Sequence, residues 1–144
     1  MKYLPHKSHV VILFGALTLF VTATARSTTK PDDVLFKGTT LDVIERNLAM
    51  GLNTRSPGVQ ASASQVIRDL KTLMPEQDFS LLVIPLMRIV KNEDAETQVR
   101  MIATLALHEL NSLRGDFAIT QLARFTSNTR VQHLCGWLAH GKTP

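Results

Sequence analysis

Three histidines and one cysteine fall late in the chain, at His108, His133, His140 and Cys135, and they are the residues best suited to hold a metal ion. Zinc asks for three or four ligands converging on one point. His133 and His140 are seven apart and can share a helical face, but no carboxylate or second ligand stands three or four residues from either. His133 and Cys135, two apart, point to different sides of a helix. A reactive thiol needs an activating base in an exposed, electropositive setting. Cys135 has no such neighbours in sequence and reads as a small core residue. Glu93, Asp94 and Glu96 form the densest acidic group. They lack the alternating oxygen ligands and the glycine of a calcium loop, and charge at a helix N-terminus explains them. Arg114-Gly115-Asp116 spells an integrin-type tripeptide. A helix ended by Gly115 in a left-handed conformation, followed by a helix capped by Asp116, accounts for it without any ligand. No glycine-rich phosphate loop, Ser/His/Asp arrangement or spaced carboxylate pair is present. We therefore expect no catalytic, cofactor-binding or metal-binding residues, and no enzyme.

The elements that would position these residues are helices. Leu41, Ile44, Leu48 and Leu52 fall at spacings of three and four, which predicts a first helix over Thr40–Leu52. Thr39 with Asp42 has the form of a capping box. Ser56 and Pro57 suit the cap and first position of a second helix. That helix carries Val59, Ala63, Val66, Ile67, Leu70 and Leu73 inward and stops before Pro75. A third helix follows Asp78 or Ser80 and runs to Lys91, with Pro85 in its first turn or kinking it. A fourth, over Glu96–Leu113, buries Val99, Ile102, Ala103, Ala106, Leu107 and Leu110 in the middle of a stack. A fifth (Phe117–Phe125) and a sixth (Thr129–His140) form a shorter final pair, with Trp137 covering the end.

Val59-Gln60, Val99-Arg100 and Val131-Gln132 each open an apolar helical run, and a helix–turn–helix unit repeated three times signals units that must stack to bury their faces. The run Ile84-Pro85-Leu86-Met87-Arg88-Ile89-Val90-Lys91-Asn92, the acidic turn Glu93-Asp94, then Val99-Arg100 and Ala103-Thr104-Leu105-Ala106-Leu107, resemble a HEAT repeat. The resemblance extends over roughly Leu41 to Ala139. It implies an all-α fold, a short right-handed α-α superhelix of about three helical hairpins and six helices. It also implies a ladder between neighbouring units, formed by an Asp of the turn and an Arg of the second helix, places filled by Asp94 and Arg100. The starts of these second helices are 40 and then 32 residues apart, so Met74–Leu81 should form an extra loop.

Stacked in register, the positions after each Val project three rows spaced by four: Gln60, Ser64, Arg68; Arg100, Thr104, His108; and Gln132, Gly136, His140. They are the solvated sides of amphipathic helices. HEAT proteins bind partners along the surface lined by these helices, so the resemblance makes the rows a candidate interaction face. It implies a non-catalytic scaffold for an unidentified protein partner, acting as a monomer. The alternatives are a lyase-like HEAT enzyme or enzyme subunit, needing a pocket that unites His108, Arg68 or His140, and a membrane-tethered sensory module.

The first 25 residues set the expected address. Lys2 and Lys7 precede an apolar run over Val10–Val21, and Ala23-Thr24-Ala25 supplies a small-x-small site. This is the pattern of a signal peptide cleaved after Ala25, its apolar run too short for a permanent span. We expect residues 26–38 to be a flexible leader, residues 39–140 the helical domain and residues 141–144 a frayed tail. The product would be periplasmic or secreted, free of the membrane once cleaved. Without Lys2 and Lys7, 14 basic residues face 12 acidic ones, a formal charge of +2, too dispersed to argue for nucleic acid. One cysteine permits no internal disulfide, so an apolar core must hold the domain together.

Overall fold

The structure, a computed structural model, describes residues 38–141; the expected signal peptide, nearly all of the leader and residues 142–144 lie outside that range. The described chain is all-α, with six helices and no strand: α1 Gly38–Leu52, α2 Pro57–Leu73, α3 Ser80–Lys91, α4 Thr97–Glu109, α5 Leu113–Phe125 and α6 Thr129–His140. Sequential helices pair as hairpins α1/α2, α3/α4 and α5/α6, and the hairpins lie side by side. α1, α3 and α5 touch in one row, and α2, α4 and α6 in the other. Each hairpin is too thin to shield its own apolar stripe, so the middle one is covered on both sides. Leu82, Leu86, Val90, Ala103, Ala106 and Leu107 are fully buried there. Each such leucine contributes about 1.5–3 kcal/mol on leaving water.

Local chemistry sets most of the boundaries. α1 begins at Gly38, two residues before the expected Thr40, and the side chain of the expected cap, Thr39, lies outside the described ones. Pro57 opens α2 as expected, although the Ser56 hydroxyl makes no capping bond. α3 starts after Phe79 with no side-chain cap of its own. Glu45 of α1 supplies one across the hairpin gap, accepting the Leu81 amide at 3.2 Å. Glu45 is buried, and that burial raises its pKa above the ordinary carboxylate value, against the lowering effect of the Leu81 bond. Pro85 sits inside α3, beyond its first turn, and the helix runs through it to Lys91. The loop expected between α2 and α3 is tied down by Lys71, whose Nζ donates to the carbonyls of Pro75 and Gln77 and lies 6.0 Å from the buried Phe79 ring. Asn128 caps α6, its Oδ1 accepting the amides of Arg130 and Val131.

Two expectations are corrected. The fourth and fifth helices divide at Leu110–Ser112, so Arg114-Gly115-Asp116 lies in the first turn of α5. Asn111 takes the left-handed turn at φ 53°, which asparagine tolerates better than most side chains. Ser112 then caps α5, accepting the Gly115 amide at 3.0 Å. Gly115 is therefore helical and buried. A Cβ on it would stand 2.8 Å from Ser112 Oγ and 3.0 Å from Leu107 Cδ1, so its role is close helix approach. We expect Gly115→Val to cost about 2 kcal/mol through overpacking, read as a lowered midpoint in urea unfolding. The second correction concerns α2. Ala63, Ile67 and Leu70 are buried as expected, but Val59, Val66 and Leu73 are 45%, 43% and 63% exposed. They lie on the side of the first hairpin that no described helix covers.

Candidate functional site

The rows spaced by four prove to be seams between successive helices. Ser64, Arg100 and Thr104 are all 0% exposed. Arg68 of α2 reaches across to Glu109 of α4, Nε to Oε1 at 2.8 Å, so the α2 row faces α4. The α4 row faces α6 in turn: Thr104 lies beside the Cys135 thiol, and Arg100 reaches the loop that leads into α6. A polar residue can sit in such a seam because its hydrogen bonds are made within its own helix. Ser64 Oγ donates to the Gln60 carbonyl and Thr104 Oγ1 to the Arg100 carbonyl, each at 2.8 Å. The reading of these residues as one solvated face is therefore corrected. Gln60, Arg68 and His108 are half-buried, with the Gln60 amide bonded to the carbonyls of Leu52 and Thr54. Only the third row, Gln132, Gly136 and His140, lacks a covering helix among the described residues.

The densest polar cluster centres on Arg100. Its guanidinium donates from Nε to the Val90 carbonyl at 3.0 Å, and from Nη1 and Nη2 to the two Glu93 oxygens at 3.1 and 2.7 Å. Nη2 also donates to Thr126 Oγ1 at 3.0 Å, and that hydroxyl donates to Glu93 Oε1 at 2.8 Å. Ser127 Oγ closes on Glu93 Oε2 at 2.6 Å. Asn128 extends the cluster through Nδ2 to Thr97 Oγ1 at 2.7 Å. The carboxylate that meets Arg100 is thus Glu93 and not Asp94, which is exposed and donates its amide to Asn92 Oδ1 in the turn. The bonds from Arg100 first, then Ser127 and Thr126, lower the Glu93 pKa to about 2. A carboxylate held below its unfolded value stabilises the fold above the ordinary carboxylate pKa and loses that contribution as pH falls through about 2. Acid unfolding should therefore steepen below pH about 4.5, and Glu93→Gln should flatten that limb in a pH series of thermal midpoints.

The histidines do not assemble. His108 lines a shallow surface cleft with Lys71, Thr72, Pro75, Glu109 and Asn111. Arg68 comes near it through Glu109, but His140 lies on α6, its Nδ1 2.6 Å from the Gly136 carbonyl. Among the described residues no three His, Cys, Asp or Glu side chains gather into a possible metal site, and no helix is long and apolar enough to cross a membrane. Cys135 is fully buried, and burial pushes its thiol up to about 11. Large apolar side chains are exposed instead on the last hairpin: Leu113 (90%), Phe117 (63%), Phe125 (76%) and Trp137 (72%). Trp137 does not cap the stack as expected. Its helix buries Val131, Cys135 and Leu138, and the indole points to solvent. The chain is thus a stack of three helical hairpins with a polar clasp at its centre and aromatic residues exposed at one end. It matches no protein-family model, no curated protein and no solved structure.

Proposed function

We propose that the chain is a small exported α-solenoid of the HEAT kind that acts as a non-catalytic protein-interaction module. Its contact surface is the last hairpin and not the row of second helices. The observation that carries this reading is the exposure of Phe117, Phe125 and Trp137, the three exposed aromatic side chains among the described residues, all on α5 and α6. Tryptophan and other large aromatics dominate binding energy when a partner seals them from water. Polar side chains that would be suited to chemistry are engaged in holding the fold together, as Arg100, Lys71 and Arg68 illustrate. The signal-like pattern of residues 1–25 supports a periplasmic or secreted address, and a purified chain beginning at Arg26 is the mass-spectrometric result this address requires.

The test is affinity capture from the cell envelope at native expression, with the wild-type chain beside a Phe125→Ser/Trp137→Ser variant. Both side chains are largely solvent-exposed, so the variant should keep its helical content and thermal midpoint while its specific partner is lost. A variant that recovers the same partner with equal yield rejects the aromatic surface.

A further inference from the structure

The two ends of the stack carry the two halves of the seam that joins its interior helices, and we infer that copies of this chain associate head to tail through them. Val59, Val99 and Val131 are each the third residue of α2, α4 and α6, so equivalent positions can be read across the three helices. In the internal seam α2 offers Gln60, Ser64 and Arg68; on α4 Glu109 meets Arg68, and Val99, Ile102 and Ala106 share the face of Glu109 at helical spacing. Val99 and Ala106 are 3% and 0% exposed there, and Ser64 opposite is 0% exposed.

Each half recurs uncovered at one end. On α2 the equivalents of the α4 stripe are Val59, Ser62, Val66 and Asp69, continued by Leu73, and all are exposed. Their spacing of three and four makes one continuous stripe, apolar at every other position. On α6 the equivalents of the α2 row are Gln132, Gly136 and His140. A Cβ at Gly136 would meet nothing within 4 Å, leaving room for a helix to approach closely. Polar side chains follow the same register: His140 stands where Arg68 stands in the internal seam, and Asp69 where Glu109 does. The occupant that fits the α6 row is a helix with the α2 stripe, and the chain itself presents one. Such a contact is heterologous, so copies add without using up the ends, in place of the monomer expected from the sequence. The α6 row adjoins Trp137, which stands three residues before His140 on the same helix, whereas the α2 stripe lies at the other end of the stack.

Sedimentation velocity of the full chain, as purified from the expressing cell, tests this over a wide concentration range. The mass should rise with concentration to twice that of one chain and beyond. Gly136→Arg adds a side chain that the single copy accommodates and that blocks the α6 row; Val66→Glu blocks the α2 stripe. Each variant alone should remain a single chain with an unchanged circular dichroism spectrum. Mixed, they should form a one-to-one dimer, because each retains the end the other lacks. A wild-type chain that stays a monomer overturns the inference. Association that survives Gly136→Arg also overturns it and assigns the contact to the terminal aromatics.

Discussion

Arg100→Ala should destabilise the domain by about 3 kcal/mol, because it removes a buried charge partner and leaves a cavity against the Val90 carbonyl. For a domain of this size that is a fall of roughly 10–20 °C in thermal midpoint. The size of the effect follows from where the guanidinium sits. It is 0% exposed, and four of its hydrogen bonds tie the end of α3, the Glu93 turn and the α5–α6 connection to one point on α4. Removing it loosens the last hairpin from the middle one as well as emptying a space. Asp94→Ala is the control. Its carboxylate is exposed and in no ion pair among the described residues, so the change should stay within about 0.5 kcal/mol. Paired urea denaturations of the two variants separate a clasp built on Glu93 from one built on Asp94.

Cys135 should be nearly inert in the folded chain. Burial raises its thiol from 9.0 to about 11, which alone reduces the thiolate at pH 8 about a hundredfold. Complete occlusion between α4 and α6 adds to that, since the side chain is 0% exposed beside Thr104. Labelling with a thiol-reactive dye should therefore be at least about a hundredfold slower in buffer than in concentrated urea. Rapid labelling of the native chain would mean that α6 leaves the stack readily. The same prediction separates this cysteine from a catalytic nucleophile, which must be both ionised and reachable.

The six helices were legible because their stripes are strong and their caps or breaks ordinary: Pro57 opens α2, and Thr129–His140 is the sixth helix as expected. The division after Glu109 was hidden because Leu110-Asn111-Ser112-Leu113 carries no glycine or proline. Asparagine performed the left-handed turn, and the more conspicuous Gly115 proved to serve packing. The rows spaced by four were also legible as rows. Their environment was not, because a hydroxyl bonded to its own helix and an arginine bonded to a turn carboxylate have the same letters whether covered or solvated. Ser64 and Thr104 illustrate the first case and Arg100 the second. Val59 and Val66 show the converse. An apolar stripe continuous with the core pattern was read as core, yet it faces outward where the stack ends. Periodicity reports which residues share a face, and only the neighbour's position decides whether that face is wet.

In the stacked arrangement, successive hairpins hide the polar rows between them. Single cysteines placed at Ser64→Cys, Thr104→Cys and Gly136→Cys in a Cys135→Ala background, labelled in dilute solution, measure it directly. The first two should react far more slowly than the third, each becoming fast only on unfolding, while Gly136→Cys reacts as an open thiol. Labelling of Ser64→Cys and Thr104→Cys as rapid as that of Gly136→Cys, in a chain that is still helical, would contradict the stacked arrangement.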